Sequence, residues 1–381
     1  MTAERASADL PPIVVLFGGP SAEHDVSVVS GTAIADALRA GTGPSGGVRQ
    51  VLVDLDGRWW WLPADHARAD RPAAAYDEPQ RLDAEGPFTT GSAIDRLGAA
   101  EPRPLVFVAL HGPWGEDGTV QALLEAAGVA YTGSGVAASA IGMDKAIFKR
   151  LARGLGLPVV EWREVRAERW RREPAIVLGE LEAFAGGSGD ERLMVKPARL
   201  GSSVGMTLAH TVDERAAALD LAFRFDTLAI VEHYVAGARD LEVAVIGNDP
   251  ARLELYGPGE VFSGHEFYDY EAKYTPGLSQ TSTRAEVPED LRRTVLKLAR
   301  DAYRATGSEG LARIDFLLAD GRLYLSEINT IPGFTPISLF PLLAAQGGYD
   351  FGGVCRRIVE LARERHAGRV SGRLQPSDLP R

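Results

Sequence analysis

The chain has 381 residues, 45% hydrophobic and 24% charged, the composition of a folded protein too long for one ordinary core. Its 41 basic and 52 acidic residues give a net charge of −11, which argues against a general binder of nucleic acid or anionic membrane but leaves room for a local basic pocket. The lone Cys355 cannot form an internal disulfide. No stretch approaches the ~20 apolar residues of a membrane span, and "MTAERASADLPP" lacks the apolar core of a signal peptide, so a cytoplasmic chain is expected.

In chain order, "PIVVLFGGPSAEHDVSVVSGTAIADALRA" is an apolar run, a Gly-rich turn and a helical pattern, the opening unit of an open α/β sheet. "VDLDGRWWW" predicts a hairpin in which the tryptophans serve packing. A second strand, "PLVFVAL", runs into "HGPWGEDG" and the helix "TVQALLEAAG", which places His111 and Glu116 at a strand's carboxyl end, where ligands gather. "MDKAIFKRLARGLGLP" is an amphipathic helix closed by Gly-Leu-Pro. Beyond it, the short strands "LMVKPA", "LAIVEHYV" and "LEVAVIGN" change the texture to α+β. The helix "EDLRRTVLKLARDAYRATG" then precedes a hairpin, "LARIDFLLADGRLYLSEIN".

Three features carry chemistry. "VKPARLGSSVG" delivers Lys196 into a loop of Gly201, Ser202, Ser203 and Gly205, where small residues let backbone N–H groups face an anion. It is not a Walker A loop, because no Lys-Ser/Thr follows the last glycine. In the hairpin, Arg313 and Asp315 share one face of their strand, as do Glu327 and Asn329 of the next, a donor set suited to Mg²⁺. A two-residue Asp320-Gly321 turn would set Asp315 opposite Ser326, whereas a three-residue loop centred on Gly321 sets it opposite Glu327; the three-residue loop is expected. Glu232 and Asp240, at a strand end and the next strand's start, are of a type that accepts from adenine or ribose, although surface solvation is the commoner role.

Together the strings "GGPSAEHDVS", "LHGPWGEDGTVQALLE", "YTGSGVAASAIGMDK", "VKPARLGSSVG", "FYDYEAKY", "RIDFLL" and "EINTIPGFTPISLFP" resemble the D-alanine–D-alanine ligase family of ATP-grasp enzymes, over residues 14–341. The resemblance implies a fold of mixed α/β and α+β class. It comprises an N-terminal open parallel-sheet domain (12–140), a small central domain (141–235) and a C-terminal ATP-gripping domain (236–366) with a lid loop at 260–284. Lys145, Lys196 and Lys273 match lysines on the ATP phosphate side, with Ser203 in the loop beside them. Glu232 matches the adenine carboxylate. Asp240 matches the ribose carboxylate, where the family usually has Glu.

Asp315, Glu327 and Asn329 match the Mg²⁺ ligands, with Mn²⁺ able to substitute. Glu23 matches the carboxylate that holds the first D-alanine's ammonium, with His111 beside it and Ser202 and Tyr274 as its triad partners. Arg313 and the Gly333 N–H match the oxyanion donors, and Ser338 and Leu339 the positions that receive the second D-alanine's carboxylate. Leu200 stands where relatives often carry a polar residue or glycine.

The implied reaction joins two D-alanines through a D-alanyl phosphate, with ADP and phosphate released, for peptidoglycan precursor synthesis. A homodimer follows from the resemblance alone. The rival within the family is a D-alanine–D-lactate or D-serine ligase, or an amino-acid ligase of specialised metabolism. Depsipeptide-forming relatives carry a histidine in the lid and tend to carry Arg at the position of Leu339; Lys273-Tyr274 and Leu339 favour a peptide product. A non-catalytic nucleotide sensor would lack the metal ligands or Arg313, which are all present. The opening strand–loop–helix also fits a dinucleotide-binding oxidoreductase, but "GGPSAE" is not G-x-G-x-x-G.

Overall fold

The computed structural model describes residues 11–42, 47–69, 71–187, 189–263 and 279–371. The first sheet has β1 (Ile13–Gly18), an apolar run buried along its whole length, near its centre. With β2 (Val48–Val53), β3 (Trp59–Trp61), β4 (Glu85–Phe88), β5 (Leu105–Val108) and β6 (Ala130–Tyr131) it forms the order β4-β3-β2-β1-β5-β6. Strands β2, β1, β5 and β6 are parallel, and β3 and β4 add an antiparallel edge. Helix α1 (His24–Thr42) packs closely on one face: a Cβ at Gly31 would lie 2.3 Å from the Phe17 Cβ. Helices α2 (Thr90–Ala99) and α3 (Thr119–Ala126) supply Ile94, Leu97, Val120 and Leu124 to the core of the other. The tryptophans pack as expected. Trp59 and Trp60 are buried, and Trp61 meets Phe88 edge-on.

Two short helices lead out of this sheet, α4 (Val136–Met143) and α5 (Lys145–Gly154). Asp144 caps α5 by accepting from the Ile147 N–H at 2.9 Å, which supplies one of the acceptors a helix start lacks. A four-stranded antiparallel sheet follows, in the order β7-β10-β8-β9, built from β7 (Trp162–Arg166), β8 (Leu193–Pro197), β9 (Thr207–Ala209) and β10 (Leu228–His233). Its outer face is covered by α7 (Pro174–Ala185) and α8 (Val212–Ala222), and the short α6 (Ala167–Arg172) joins β7 to α7.

The third sheet, also antiparallel, has the order β13-β12-β11-β14-β15, with β11 (Arg239–Ile246), β12 (Glu254–Ser263), β13 (Ser279–Ser282), β14 (Leu311–Ala319) and β15 (Arg322–Asn329). Helix α9 (Glu289–Thr306) buries Val295, Ala299 and Tyr303 against it and stops at Gly307, whose φ of +68° suits a left-handed cap. Helices α10 (Leu339–Ala344) and α11 (Phe351–Ser371) fill the space between the first and third sheets, where Phe340, Val354 and Ile358 join one core with Phe17 and Ile246. Strands β12 and β13 pair up to Ser263↔Ser279. The "FYDYEAKY" stretch expected as the lid lies outside the described residues.

The β14–β15 hairpin corrects one expectation. Ala319 pairs with Arg322, so the turn is the two-residue Asp320-Gly321, with φ of 48° and 72°, and not a three-residue loop. These two left-handed residues match the preferred hairpin turn, which twists with its strands. Asp315 nevertheless lies opposite Glu327, because the register shifts between Asp315 and Phe316. Phe316 pairs with Leu325 while Asp315 pairs with Glu327, which leaves Ser326 as an extra residue in β15. A β-bulge therefore does what the longer loop was expected to do.

Candidate active site

Arg313 and Asp315 project from β14, and Glu327 and Asn329 from β15, with Arg313 directly paired to Asn329 and Asp315 to Glu327. The intervening Ile314, Phe316 and Ile328 are buried on the opposite face, which fixes the polar set toward the cavity. Arg313 donates twice to Asp315, from Nε at 2.8 Å and from Nη2 at 2.6 Å, and its Nε lies 3.1 Å from Glu242 Oε2. Burial works against the guanidinium charge, but Asp315 and Glu242 hold its pKa well above the ordinary arginine value. Asn329 Nδ2 donates to Asp315 at 2.9 Å, and Lys145 Nζ stands 3.3 Å from Glu327 Oε2.

Two carboxylates and an amide, with protein cations against them, fit a hard divalent cation, whose charge would replace that of the Lys145 and Arg313 contacts. Lys145 also donates to the Leu200 carbonyl at 2.7 Å, a bond that the apolar Leu200 side chain does not prevent.

The same cavity, about 180 Å³, reaches the small sheet and is lined by Lys145, Lys196, Ser203, Glu232 and Asp240 as well as by Arg313, Asp315 and Glu327. Lys196 on β8 and Glu232 on β10 sit on facing strands, and their Nζ and Oε2 atoms are 2.5 Å apart. A second lysine, Lys149, meets the other oxygen, Oε1, at 2.5 Å. Burial pushes the Glu232 carboxyl up, but the two lysines outweigh it and hold the pKa at about 2. Sequence reasoning missed Lys149. Its signal was the i,i+4 spacing from Lys145, which puts both lysines on the buried face of α5. Glu242, two residues beyond Asp240 on β11, was missed too.

Glu23 stands just before α1 and is cradled by two glycines: a Cβ at Gly112 would lie 2.5 Å from Glu23 Oε2, and one at Gly201 3.0 Å. Ser202 Oγ donates a short hydrogen bond to Glu23 Oε1, which joins the small sheet's loop to the first sheet. Ser202 and Ser203 both have left-handed φ, 51° and 56°, a conformation costing about 1–3 kcal/mol per residue that clusters at ligand-binding sites.

His111 is buried after β5, with Nδ1 3.1 Å from the Ile331 carbonyl and Nε2 3.0 Å from Ser30 Oγ. Burial lowers its pKa, but Glu116 at 3.6 Å and the charge of Glu23 raise it to a net value above the ordinary histidine one. Glu116 is itself raised, by burial first and then by the Glu23 charge, against the pull of His111.

Ser338 precedes α10, where its Oγ accepts from the Thr335 N–H at 3.0 Å, and Gly333 lies beside it: a Cβ there would sit 3.5 Å from Ser338 Oγ. Leu339 is buried, while Ile337 is 83% exposed. Lys273 and Tyr274 lie outside the described residues.

A cavity held between two antiparallel sheets, with a lysine and a carboxylate on one sheet, further lysines on the helix beside it and an Arg-Asp-Glu-Asn set on the other sheet, is the arrangement of an ATP-grasp enzyme. Residues 12–134 match the family described as D-ala D-ala ligase N-terminus, and residues 151–360 that described as D-ala D-ala ligase C-terminus. The chain is 37% identical to the D-alanine–D-alanine ligase of Enterococcus hirae, over 93% of this chain and 96% of that protein. It is 39% identical to that of Chlorobium luteolum, over 93% and 98%.

Among solved structures, the VanG D-Ala:D-Ser ligase from Enterococcus faecalis superposes with a TM-score of 0.77 at 27% identity, covering 93% of this chain and all of that one. The D-alanine–D-alanine ligase from Coxiella burnetii gives 0.72 at 28%, over 95% and 97%. The chain belongs to the D-alanine–D-alanine ligase family. Among the described residues, no helix is long and apolar enough to cross a membrane.

Proposed function

We propose that this enzyme joins two D-alanines at the expense of ATP, through a D-alanyl phosphate, to supply the dipeptide of peptidoglycan precursors. The observation that carries the reading is the set of Arg313, Asp315, Glu327 and Asn329 on one sheet face, with Lys145 3.3 Å from Glu327 and with Arg313, Asp315 and Glu327 lining the cavity that Lys196 and Glu232 also line. Glu232 accepts from the adenine amino group and Asp240 from the ribose. Lys145 and Lys196, with Ser203 in the loop beside them and Lys273, hold the phosphates. Asp315, Glu327 and Asn329 would hold magnesium, which when bound would neutralise charge on the transferring phosphoryl group. Magnesium as the ion, a cytoplasmic setting and a homodimeric state belong to the same proposal, the homodimer resting on the family resemblance alone.

A carboxylate is a poor electrophile, so its oxygen first attacks the γ-phosphorus, ADP leaves, and an acyl phosphate forms. Glu23 holds the first D-alanine by its ammonium, which leaves the carboxylate pointed at ATP. Ser202 keeps Glu23 in place, His111 stands behind it, and Tyr274 completes the triad. Ser338 and Leu339 receive the carboxylate of the second D-alanine, whose neutral amine attacks the acyl carbon. Arg313 and the Gly333 N–H stabilise the oxyanion. The carbon–oxygen bond to phosphate then breaks, and the phosphate carries away the amine's proton. No protein nucleophile takes part.

The isotope test is direct. With D-alanine labelled by ¹⁸O in its carboxylate, one ¹⁸O per dipeptide should appear in the released phosphate. Phosphate without label would rule out the acyl phosphate.

A further inference from the structure

The buried Glu232 carries one charge and faces two lysines, Lys149 at 2.5 Å from Oε1 and Lys196 at 2.5 Å from Oε2. The two differ in what surrounds them. Lys149 is 1% exposed, donates to the Val160 carbonyl at 3.0 Å, lies 5.2 Å from the Trp162 ring centre and does not line the cavity. Lys196 lines the cavity, and among the described residues its one ion pair is with Glu232. Movement of the Lys196 ammonium toward a phosphate in the cavity would lengthen its 2.5 Å contact with Glu232. A buried carboxylate stripped of its only cation would in turn oppose that departure by several kcal/mol.

We infer that Lys149 is a positioning residue for ATP: it neutralises Glu232 permanently, so that Lys196 is free to leave the carboxylate for the phosphates. The cluster thus holds its surplus cation in store until the nucleotide enters. The neighbours of Lys149 suit a fixed role, since the Val160 carbonyl and the Trp162 face both hold the ammonium where it is. Burial depresses the Lys149 pKa and the neighbouring Glu232 charge opposes that shift, so the ammonium and the carboxylate support each other across their 2.5 Å contact. The inference rests on the proposed phosphate role of Lys196.

The test is a double-mutant cycle read by calorimetric binding of ATP and of adenosine to the full chain, which does not depend on which amino acid is ligated. Failure of the ligase reading would show as missing dipeptide, and failure of this one as unchanged ATP affinity. In Lys149→Met, Glu232 should hold Lys196 in place, so ATP binding weakens about 10-fold or more while adenosine binding stays within about 2-fold.

Glu232→Gln keeps an acceptor for the adenine amino group but carries no charge to hold a lysine. In that background Lys149→Met should therefore change ATP affinity by less than about 2-fold. Unchanged ATP binding in Lys149→Met, equal losses for ATP and adenosine, or the same loss in both backgrounds would overturn the inference. If Lys149→Met does not fold, the comparison of the double variant with Glu232→Gln decides alone: equal ATP affinity supports the inference and a weaker double variant contradicts it.

Discussion

At the residue scale the site is a set of buried charges arranged so that none is left alone, and glycines give one of them its space. Glu23 shows this most plainly. Gly112 adopts φ of +80°, and a Cβ there would come within 2.5 Å of the carboxylate oxygen. Gly112→Ala should therefore displace Glu23 from the position proposed to hold the D-alanine ammonium. The expected result is a KM for D-alanine raised about 10-fold or more, the worth of one charged hydrogen bond, with the KM for ATP within about 2-fold. An unchanged D-alanine KM in initial-rate assays would remove Glu23 from that role.

Most of these residues were legible in the sequence because they stand in strings of small or charged residues at strand ends. Lys149 was not. It reads as one more lysine on an amphipathic helix until the fold brings Glu232 against it. Ser30, which meets His111 across 81 positions of sequence, has no local signal at all.

At the scale of elements, the β14–β15 hairpin shows how a correct pairing can follow from a wrong loop. Alternation predicted the shared face, since residues two apart on a strand point the same way. The Asp320-Gly321 turn takes the two-residue form its sequence prefers, and the Ser326 bulge restores the pairing of Asp315 with Glu327. A bulge leaves little trace in one sequence, because Ser326 is as ordinary in a strand as in a turn.

The register is thus held at the bulge, with several paired residues between it and the turn. Gly321→Val would force a branched residue to φ of 72°, at a cost of about 1–2 kcal/mol. A melting temperature lowered by a few degrees is expected, with kcat within about 2-fold of the parent. A large loss of kcat at unchanged stability would show that the turn, and not the bulge, aligns the polar set.

At the scale of the molecule, the three sheets and their loops contribute to the proposed site. Glu23 and His111 come from the first, Lys196, Ser202 and Glu232 from the second, and Arg313, Asp315, Glu327 and Asn329 from the third. Helix α11 ties the outer two together. Arg365 donates to the Tyr131 carbonyl at 2.8 Å and to the Gly133 carbonyl, and Arg369 pairs with both Glu125 and Glu309. The composition pointed to several cores, and the strand texture to a change from α/β to α+β. The α11 bridge was not legible, because arginines near a chain end look like solvated charge until their carbonyl partners are known.

The central claim is that this shared site makes a D-alanyl-D-alanine bond. It is tested by chromatographic product analysis after incubation with ATP, Mg²⁺ and D-alanine, alone and with D-lactate or D-serine in competition. D-alanyl-D-alanine in one-to-one ratio with ADP and phosphate, and still the main product under competition, is the expected result. Phosphate released without dipeptide, or a mixed product formed where the dipeptide is not, would contradict it.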